Sequence, residues 1–447
     1  MAGQLILNAF VRVPGHHAAA WRHPSSKAQD GTDLPTYITF AQTAERGAMH
    51  SLFVADSPGG GRDIISWNGG VEPLTLLAAL AARTEHIGLI GTSSTTFAEP
   101  YALAREFASL DHLSAGRAAW NIVTSSNLEA AYNFSTEPSS HAERYVRATE
   151  FVEVVTSLWD SWEDDALIYD QASNRQVDFD RVHAIDHAGA AYRVRGPLNS
   201  PRSPQGWPLL VQAGSSEDGK DFAARFAEAI FTVQQTVDDA QRFYADVKAR
   251  AASFGRDPRM VKILPGLCFF IGSTEAEAKR VQAELDDLAV PADGPVNLGA
   301  LQFIGVDLSG FPLDEPLPFH LLPSESEFQG SRSRWGLLLA LARREQLTIR
   351  QLLRKVVGAR GHFTFAGTPV QVADLIETWF THGAADGFNV MPPLHQYLET
   401  FVDEVIPILQ RRGIFHTSYE GRTLRENYGV PRPASRYAAR PTQTVAI

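Results

Sequence analysis

Two consecutive serines, Ser215 and Ser216, stand with Gly214 at the point where an apolar segment, residues 209–214, gives way to a helical pattern. The first backbone N–H groups of a helix have no partner within the helix, so a helix start of this kind can hold a phosphate. The alternative is an ordinary serine N-cap, whose hydroxyl serves only the helix itself. The pattern alone leaves both interpretations open.

A second chemical signal lies at the start of another helical segment. Ser140 and Glu143 have the spacing of a capping box, which predicts that the helix begins at residue 141. His141 and Tyr145 then lie four residues apart on one helix face. This face would present an imidazole and a phenol to a neighbouring site, and the alternative is a surface histidine beside a core tyrosine.

Metal and nucleotide motifs fit the sequence poorly. Five histidines stand close enough in the chain to suggest zinc: His16, His17, His23, His183 and His187. There is no H-E-x-x-H sequence, and no carboxylate stands at ligand spacing beside the first three, so we expect no metal site. The glycine run at residues 59–61 lacks a P-loop lysine, and no G-x-S-x-G elbow is present.

The elements that must position these residues alternate between strands and helices. The predicted strands are residues 4–11, 51–55, 86–90, 118–124, 208–212, 229–233, 261–271 and 387–391. The predicted helices are residues 37–47, 72–83, 100–113, 141–159, 218–226, 237–254, 274–288 and 395–411. Eight βα units favour an α/β fold of the (β/α)8 TIM-barrel type above an open doubly wound sheet.

Two intervals fall outside this alternation. Residues 163–207 are polar and turn-rich, and residues 289–367 combine proline-rich loops with a helical stretch near 333–343. We interpret both as insertions in a single domain, residues 1–430, followed by a tail at 431–447. In a (β/α)8 barrel the site is built at the carboxyl ends of the strands. The residues there are mainly hydroxyls, amides and imidazoles, which suits an organic cofactor that brings its own reactivity.

Composition excludes several classes of partner. The net charge is -11 and the basic residues are scattered, so neither nucleic acid nor an anionic membrane is an expected partner. No apolar run reaches the roughly 20 residues of a membrane-spanning helix, and the N-terminus does not resemble a signal peptide. The one cysteine, Cys268, lies in an apolar segment and is expected to be a buried, inert thiol. These features indicate a soluble, cytoplasmic protein.

Beyond these patterns, the chain resembles the luciferase-like flavin monooxygenases along nearly its whole length. The likeness is closest to the branch of the nitrilotriacetate, EDTA and dibenzothiophene-sulfone monooxygenases, pristinamycin IIA synthase and the long-chain alkane monooxygenases. It is carried by residues 15–17, 21–24, 51–56, 99–105, 110–117, 120–125, 141–145, 212–216, 386–388, 409–413 and 419–426. Each string is short, and their conserved order along the chain makes the resemblance specific.

The resemblance implies an FMN-binding barrel fed with reduced FMN (FMNH2) by a separate NAD(P)H-dependent flavin reductase. Carried over by position, the cofactor-binding residues are Asp56, Thr92, Thr124, His141, Tyr145, Gly214, Ser215 and Ser216. The serines would meet the phosphate, and Asn121 would lie near the ring. His16 or His17 would lie on the substrate side of the ring. His17, His141 and Asn121 are therefore the expected catalytic residues.

The implied reaction inserts one atom of O2 into a small organic substrate through a flavin C4a-hydroperoxide, which requires that water be excluded. A cysteine that the alkane branch carries in the first loop has no counterpart here, which counts against an alkane substrate. Kinship also implies a homodimer or homotetramer. The alternatives are a coenzyme F420-dependent dehydrogenase on the same barrel and a flavin-binding protein without catalysis.

Overall fold

A computed structural model of the chain describes residues 4–27, 30–59, 70–135, 137, 139–293, 296, 298, 301, 304–324, 328 and 332–438. The strands are β1 (Ile6–Val11), β2 (Ser51–Val54), β3 (Gly88–Ser94), β4 (Ala118–Val123), β5 (Leu167–Asp170), β6 (Arg175–Val177), β7 (His187–Ala188), β8 (Arg193–Val194), β9 (Leu209–Gln212), β10 (Ala229–Thr232), β11 (Lys262–Ile271), β12 (Phe363–Gly367) and β13 (Gly387–Met391).

The helices are α1 (Leu34–Arg46), α2 (Pro73–Ala81), α3 (Pro100–Leu113), α4 (Leu128–Asn133), α5 (His141–Trp159), α6 (Glu217–Phe226), α7 (Val237–Ser253), α8 (Glu275–Ala289), α9 (Arg332–Glu345), α10 (Ile349–Ala359), α11 (Pro369–Thr381), α12 (Tyr397–Thr400), α13 (Ile406–Arg411) and α14 (Leu424–Asn427). Among the described residues, no helix is long and apolar enough to span a bilayer.

Eight parallel strands form a closed barrel, which confirms the predicted fold class. Their order around the ring is β1, β2, β3, β4, β9, β10, β11 and β13, and pairing of β10 with β11 closes it. β12 lies outside this ring and pairs with the second half of β11. The carboxyl ends of all eight strands therefore meet at one mouth, as the barrel argument requires.

Strand alternation separates the barrel interior from the layer under the helices. Phe10 of β1 contacts Phe231 of β10 with ring centroids 5.1 Å apart, although these strands are not neighbours in the ring. Phe10 therefore points inward, and Leu7 and Ala9 pack outward in the cluster that α1 and α11 cover. Phe53 of β2 lies 5.1 Å from Phe10 and completes an aromatic floor below the mouth.

The structure differs from the predicted elements in two informative places. The expected helix at 395–411 is divided into α12, a π-helical turn (Phe401–Val405) and α13. Pro407 explains the break, because proline has no N–H to continue the helical hydrogen bonds. The segment at 289–367 contains α9 and α10 and ends in β12, and its apolar residues form a separate core around Leu338, Leu352 and Val356.

The amino-terminal end of the barrel is closed by the last helical segment. Tyr428 is buried, and its hydroxyl donates to Asn8 Oδ1 at 2.7 Å. The Ser51 hydroxyl donates to the same oxygen at 2.7 Å. Nearby, the rings of His50 and His416 stack with centroids 4.6 Å apart. Polar groups thus pair across the barrel far from the mouth.

Candidate functional site

A cavity of about 290 Å³ opens at the carboxyl ends of β4 and β9, a size at the lower end of small-molecule sites. Six of the residues predicted to bind a cofactor line it: Thr124, His141, Tyr145, Gly214, Ser215 and Ser216. Its other walls come from residues 122–126 at the end of β4 and just after it, Val233 after β10, and Leu337 and Arg360 from the segment between β11 and β12. The residues predicted from the sequence therefore lie together in the structure, in the wall formed by α5 and the β9–α6 turn.

The β9–α6 turn contains the N-cap of α6, and its backbone lies close to that helix. Ser216 caps α6, and its Oγ accepts from Gly219 N at 3.2 Å. A Cβ at Gly214 would come within 2.5 Å of Gln212 Nε2 and 3.1 Å of Gly219 Cα, so only glycine fits there without rearrangement. The predicted N-cap is confirmed. Ser215 and the cap residue Ser216 line the cavity, so the start of α6 borders it and the cap is compatible with an anion site.

The start of α5 forms the facing wall. Ser140 and Glu143 make both hydrogen bonds of the predicted capping box, and α5 begins at His141. His141 Nε2 lies 3.2 Å from Asp218 Oδ2 and 3.5 Å from Ser216 Oγ. The ring of Tyr145 packs edge-on against His141, with centroids 4.9 Å apart. These contacts join α5 to α6 across the cavity.

Arg144 and Arg360 also line the cavity, and the sequence interpretation did not select them. Arg144 Nη1 donates to Ser139 O at 2.6 Å, whereas its Nε is buried without a hydrogen-bond partner. Burial lowers the pKa of Arg144, and the nearby Tyr145 opposes that change. Arg144 follows His141 by three residues and precedes Tyr145 by one, so helical spacing could have placed it on the same face.

Asn121 and Thr92 lie deeper, inside the barrel rather than among the cavity walls. The Thr92 hydroxyl donates to Val54 O at 2.8 Å, so it can only accept from Asn121 Nδ2, which lies 2.9 Å away. This chain of bonds fixes the orientation of the Asn121 amide. Asn121 Oδ1 is left buried without a hydrogen-bond partner. An unsatisfied buried acceptor of this kind indicates a site for a ligand that donates a hydrogen bond.

The two adjacent histidines of the β1 loop have different surroundings. His17 Nδ1 accepts from Ala19 N at 3.1 Å, so its Nε2 carries the proton and faces Asp286 of α8 at 3.1 Å. His16 Nε2 lies 2.8 Å from Phe10 O, and its Nδ1 is buried without a partner. Neither belongs to the cavity walls. Of the two, His16 packs against the aromatic floor, with its ring centroid 4.7 Å from that of Phe10 and the ring planes tilted by 35°.

Asp56 follows β2 and is exposed, outside the cavity walls. Desolvation by the surrounding protein raises the pKa of its carboxyl, and a hydrogen bond with the Ser57 backbone opposes this. Residues 60–69, which follow it and include most of the glycine run, lie outside the described residues. Among the described residues, no cluster of three or more His, Cys, Asp and Glu side chains could hold a metal ion.

Cys268 is buried in the barrel, and burial raises the pKa of its thiol, which agrees with the predicted inert role. Taken together, the geometry defines a (β/α)8-barrel protein with a small-molecule site at the strand carboxyl ends. Its walls offer hydroxyls, an imidazole, a phenol and two guanidinium groups. Two buried acceptors beside it, Asn121 Oδ1 and His16 Nδ1, have no hydrogen-bond partner among the described residues.

Comparison with known proteins identifies the class. Residues 13–386 match the luciferase-like monooxygenase family. The chain is 48% identical to the N-acetyl-S-(2-succino)cysteine monooxygenase of Bacillus subtilis (strain 168), over 97% of this chain and 98% of that protein. It is 46% identical to nitrilotriacetate monooxygenase component A of Aminobacter aminovorans, with the same coverage of both chains.

A solved structure of riboflavin lyase with modified FMN and riboflavin superposes with a TM-score of 0.82, at 31% identity and over 96% of each chain. The chain therefore belongs to the luciferase-like monooxygenase family, and the resemblance inferred from its sequence is confirmed.

Proposed function

We propose that the protein is the oxygenase of a two-component system, which takes reduced FMN from a separate NAD(P)H-dependent flavin reductase. It would insert one atom of O2 into a small organic substrate. The observation that carries this proposal is the cavity in which Ser216, Tyr145 and Arg144 converge beside the start of α6. Bound reduced FMN would supply the electrons that activate O2.

The phosphate end of FMN fits the cavity between α5 and α6. The Ser215 and Ser216 hydroxyls and the first N–H groups of α6 would donate to phosphate oxygens. Arg144 Nε, buried and without a partner, adds a charged donor in the same wall. Gly214 lets the turn lie close to α6, so that the backbone rather than a side chain forms the cradle.

The ring of the flavin fits the interior of the mouth. Asn121 Oδ1 would accept from a ring N–H, because the Thr92 contact already fixes the amide orientation. Phe10, Phe53 and Phe231 form an apolar floor below that position. The protein would thus hold the ring by one directed hydrogen bond and by contact with aromatic surfaces.

Exclusion of water is the other task of the chain in this proposal. The segment between α8 and β12 reaches over the mouth and is tied to loops on both sides. Ala18 N donates to Val357 O at 2.9 Å, and Gln235 Nε2 donates to Gly361 O. Leu337 from α9 completes the cavity wall. Among the described residues of this segment, apolar Leu337 and cationic Arg360 are the two that line the cavity.

The separate reductase is supported by the name of the nitrilotriacetate relative, which is one component of its monooxygenase. The homodimer or homotetramer stays an expectation, to be measured by light scattering.

The test compares FMN with riboflavin, which has the same ring without the phosphate. We expect FMN to bind at least about 100-fold more tightly in a fluorescence titration, because several charge-assisted hydrogen bonds are lost with the phosphate. With a generic flavin reductase, the protein should consume O2 and add one oxygen to a substrate. Equal affinity for both flavins, or tighter binding of coenzyme F420, would contradict the proposal.

A further inference from the structure

Three basic side chains converge on His16 at the barrel mouth. Arg12 directly follows β1, at the carboxyl end of that strand and in the same loop as His16, and Arg360 follows α10 at the edge of the cavity. The ring of His362 stacks on Phe231 with centroids 4.9 Å apart. Burial and then the charges of Arg12, Arg360 and His362 hold the pKa of His16 well below its usual value, although a hydrogen bond to Phe10 O opposes them. We call Arg12, His16, Arg360 and His362 the basic cluster.

The basic cluster lies on the aromatic floor rather than in the wall that would hold the phosphate. His16 and His362 contact Phe10 and Phe231, which themselves pack edge-to-face at 5.1 Å. Ser216, Tyr145 and Arg144 belong instead to the α5–α6 side of the cavity. Only Arg360 belongs to both groups. The mouth therefore has a second cationic region beyond the one that FMN phosphate requires.

The cationic region stands out against the charge of the whole protein. The chain carries a net charge of -11, whereas two arginines lie at the mouth near the neutral ring of His16. Burial lowers the pKa of Arg12 to about 10, which leaves the guanidinium protonated at neutral pH. A partly desolvated cation is stabilised when an anion binds beside it, and a basic cleft in an acidic protein concentrates small anions.

We propose that the basic cluster is the substrate subsite and that the substrate is a small molecule with at least two carboxylates, bound by Arg12 and Arg360. This inference rests on the proposed function, because it assumes that the flavin ring occupies the mouth beside the cluster. Arginine pairs with carboxylates through two parallel hydrogen bonds, which fixes the orientation of the bound acid. The carbon skeleton between the carboxylates would then lie across the aromatic floor, next to the ring.

His16 adds a feature that a plain anion site lacks. Because Nε2 donates to Phe10 O, the unpartnered Nδ1 of the neutral ring is an acceptor. It could accept from an N–H or O–H group of the same substrate. The subsite would therefore bind two anionic groups through Arg12 and Arg360 and one neutral hydrogen-bond donor through His16.

The experiment uses the FMN-loaded protein and isothermal titration calorimetry. The ligands are 2-(carboxymethylthio)succinate, nitrilotriacetate and citrate, and the uncharged control is the trimethyl ester of the first. We expect at least one acid to bind and the ester to bind at least about 100-fold more weakly. Arg12→Gln should weaken the acid about 10- to 100-fold and leave FMN affinity unchanged.

Three further variants complete the design. Arg12→Lys keeps the charge and should retain part of the affinity, which guards against a folding defect in Arg12→Gln. Arg144→Gln should weaken FMN instead of the acid. Arg256→Gln is the matched control. Arg256 follows α7, is also desolvated with a lowered pKa, and donates to Ala224 O of α6. It should change neither affinity.

Failure of the two proposals gives different results. If FMN does not bind in the first titration, the proposed function fails before any acid is added. If FMN binds but the ester equals the acid, or no acid binds at up to about 10 mM, the carboxylate subsite is refuted. It is also refuted if Arg12→Gln binds the acid as the wild type does, or if Arg12→Gln and Arg256→Gln weaken it equally.

Discussion

Ser216→Asp separates the structural role of Ser216 from its proposed role in binding phosphate. Aspartate is as good an N-cap as serine, and a negative charge at a helix start is favourable, so α6 should stay capped. The new carboxylate would lie about 5 Å from a phosphate that carries roughly -1.5 to -2 charges. Their repulsion amounts to about 1.5 kcal/mol at the dielectric constant of water and about 6 kcal/mol at an effective value of 20.

The lower value already predicts at least about a tenfold rise in the FMN dissociation constant. The assay pairs a fluorescence titration with FMN and a thermal unfolding curve for each variant. Thr274→Asp is the matched control, because Thr274 caps α8 in the same way, accepts from Glu277 N at 3.2 Å and does not line the cavity. Its FMN affinity should equal that of the wild type.

The reasoning is refuted if Ser216→Asp binds FMN within about twofold of the wild type while its melting temperature is unchanged, a difference of less than 0.5 kcal/mol by the tenfold rule. That result would mean that no phosphate lies beside the α6 start. A much lower melting temperature in Ser216→Asp, with no such change in Thr274→Asp, would instead contradict the capping argument.

Three further predictions concern other parts of the molecule. His141→Ala removes the contact with Asp218 but little buried surface, so turnover should fall about tenfold or more with a melting temperature close to the wild type; equal losses of both would contradict a role in the site. Asn121→Leu removes the amide that the mouth presents, and the ratio of released hydrogen peroxide to consumed O2 should rise; unchanged coupling would argue against a ring contact. Burial, then the neighbouring His416, lowers the pKa of His50 well below its usual value, so the unfolded chain takes up a proton below about pH 6.5 that the folded chain does not. Between pH 7 and pH 5 the wild type should therefore lose about 2 kcal/mol more of its free energy of unfolding than His50→Asn loses. Urea unfolding at both pH values measures this difference, and equal losses would contradict a neutral His50.

The barrel could be predicted because each βα unit carries its own local signals. Alternating apolar segments, the capping box at Ser140 and the serines before α6 all follow from short stretches of sequence, and the structure has α5 at the predicted bounds. The hairpins of β5 to β8 were not predicted, because they are short and mostly exposed, and no periodicity marks them. β12 was not predicted either, because its residues are half-buried on both faces and show no alternation.

Residues of the site were predictable where one helix or turn positions them. His141 and Tyr145 share a helix face, and Arg144 could have been added by the same spacing. Arg360 could not have been found, because it reaches the cavity through the folding of the segment between α8 and β12. The difference between His16 and His17 also depends on contacts with distant residues, including Asp286 of α8.

The hydrogen bond between Tyr428 and Asn8 has a consequence for biosynthesis. It joins residues 420 positions apart, and the oxygen that accepts it lies inside the first strand of the barrel. While a ribosome is still adding residue 428, that residue is held in the exit tunnel and the bottom of the barrel stays open to water. A pulse-labelled nascent chain arrested before residue 428 should therefore be cut by protease within β1, and the released chain should resist.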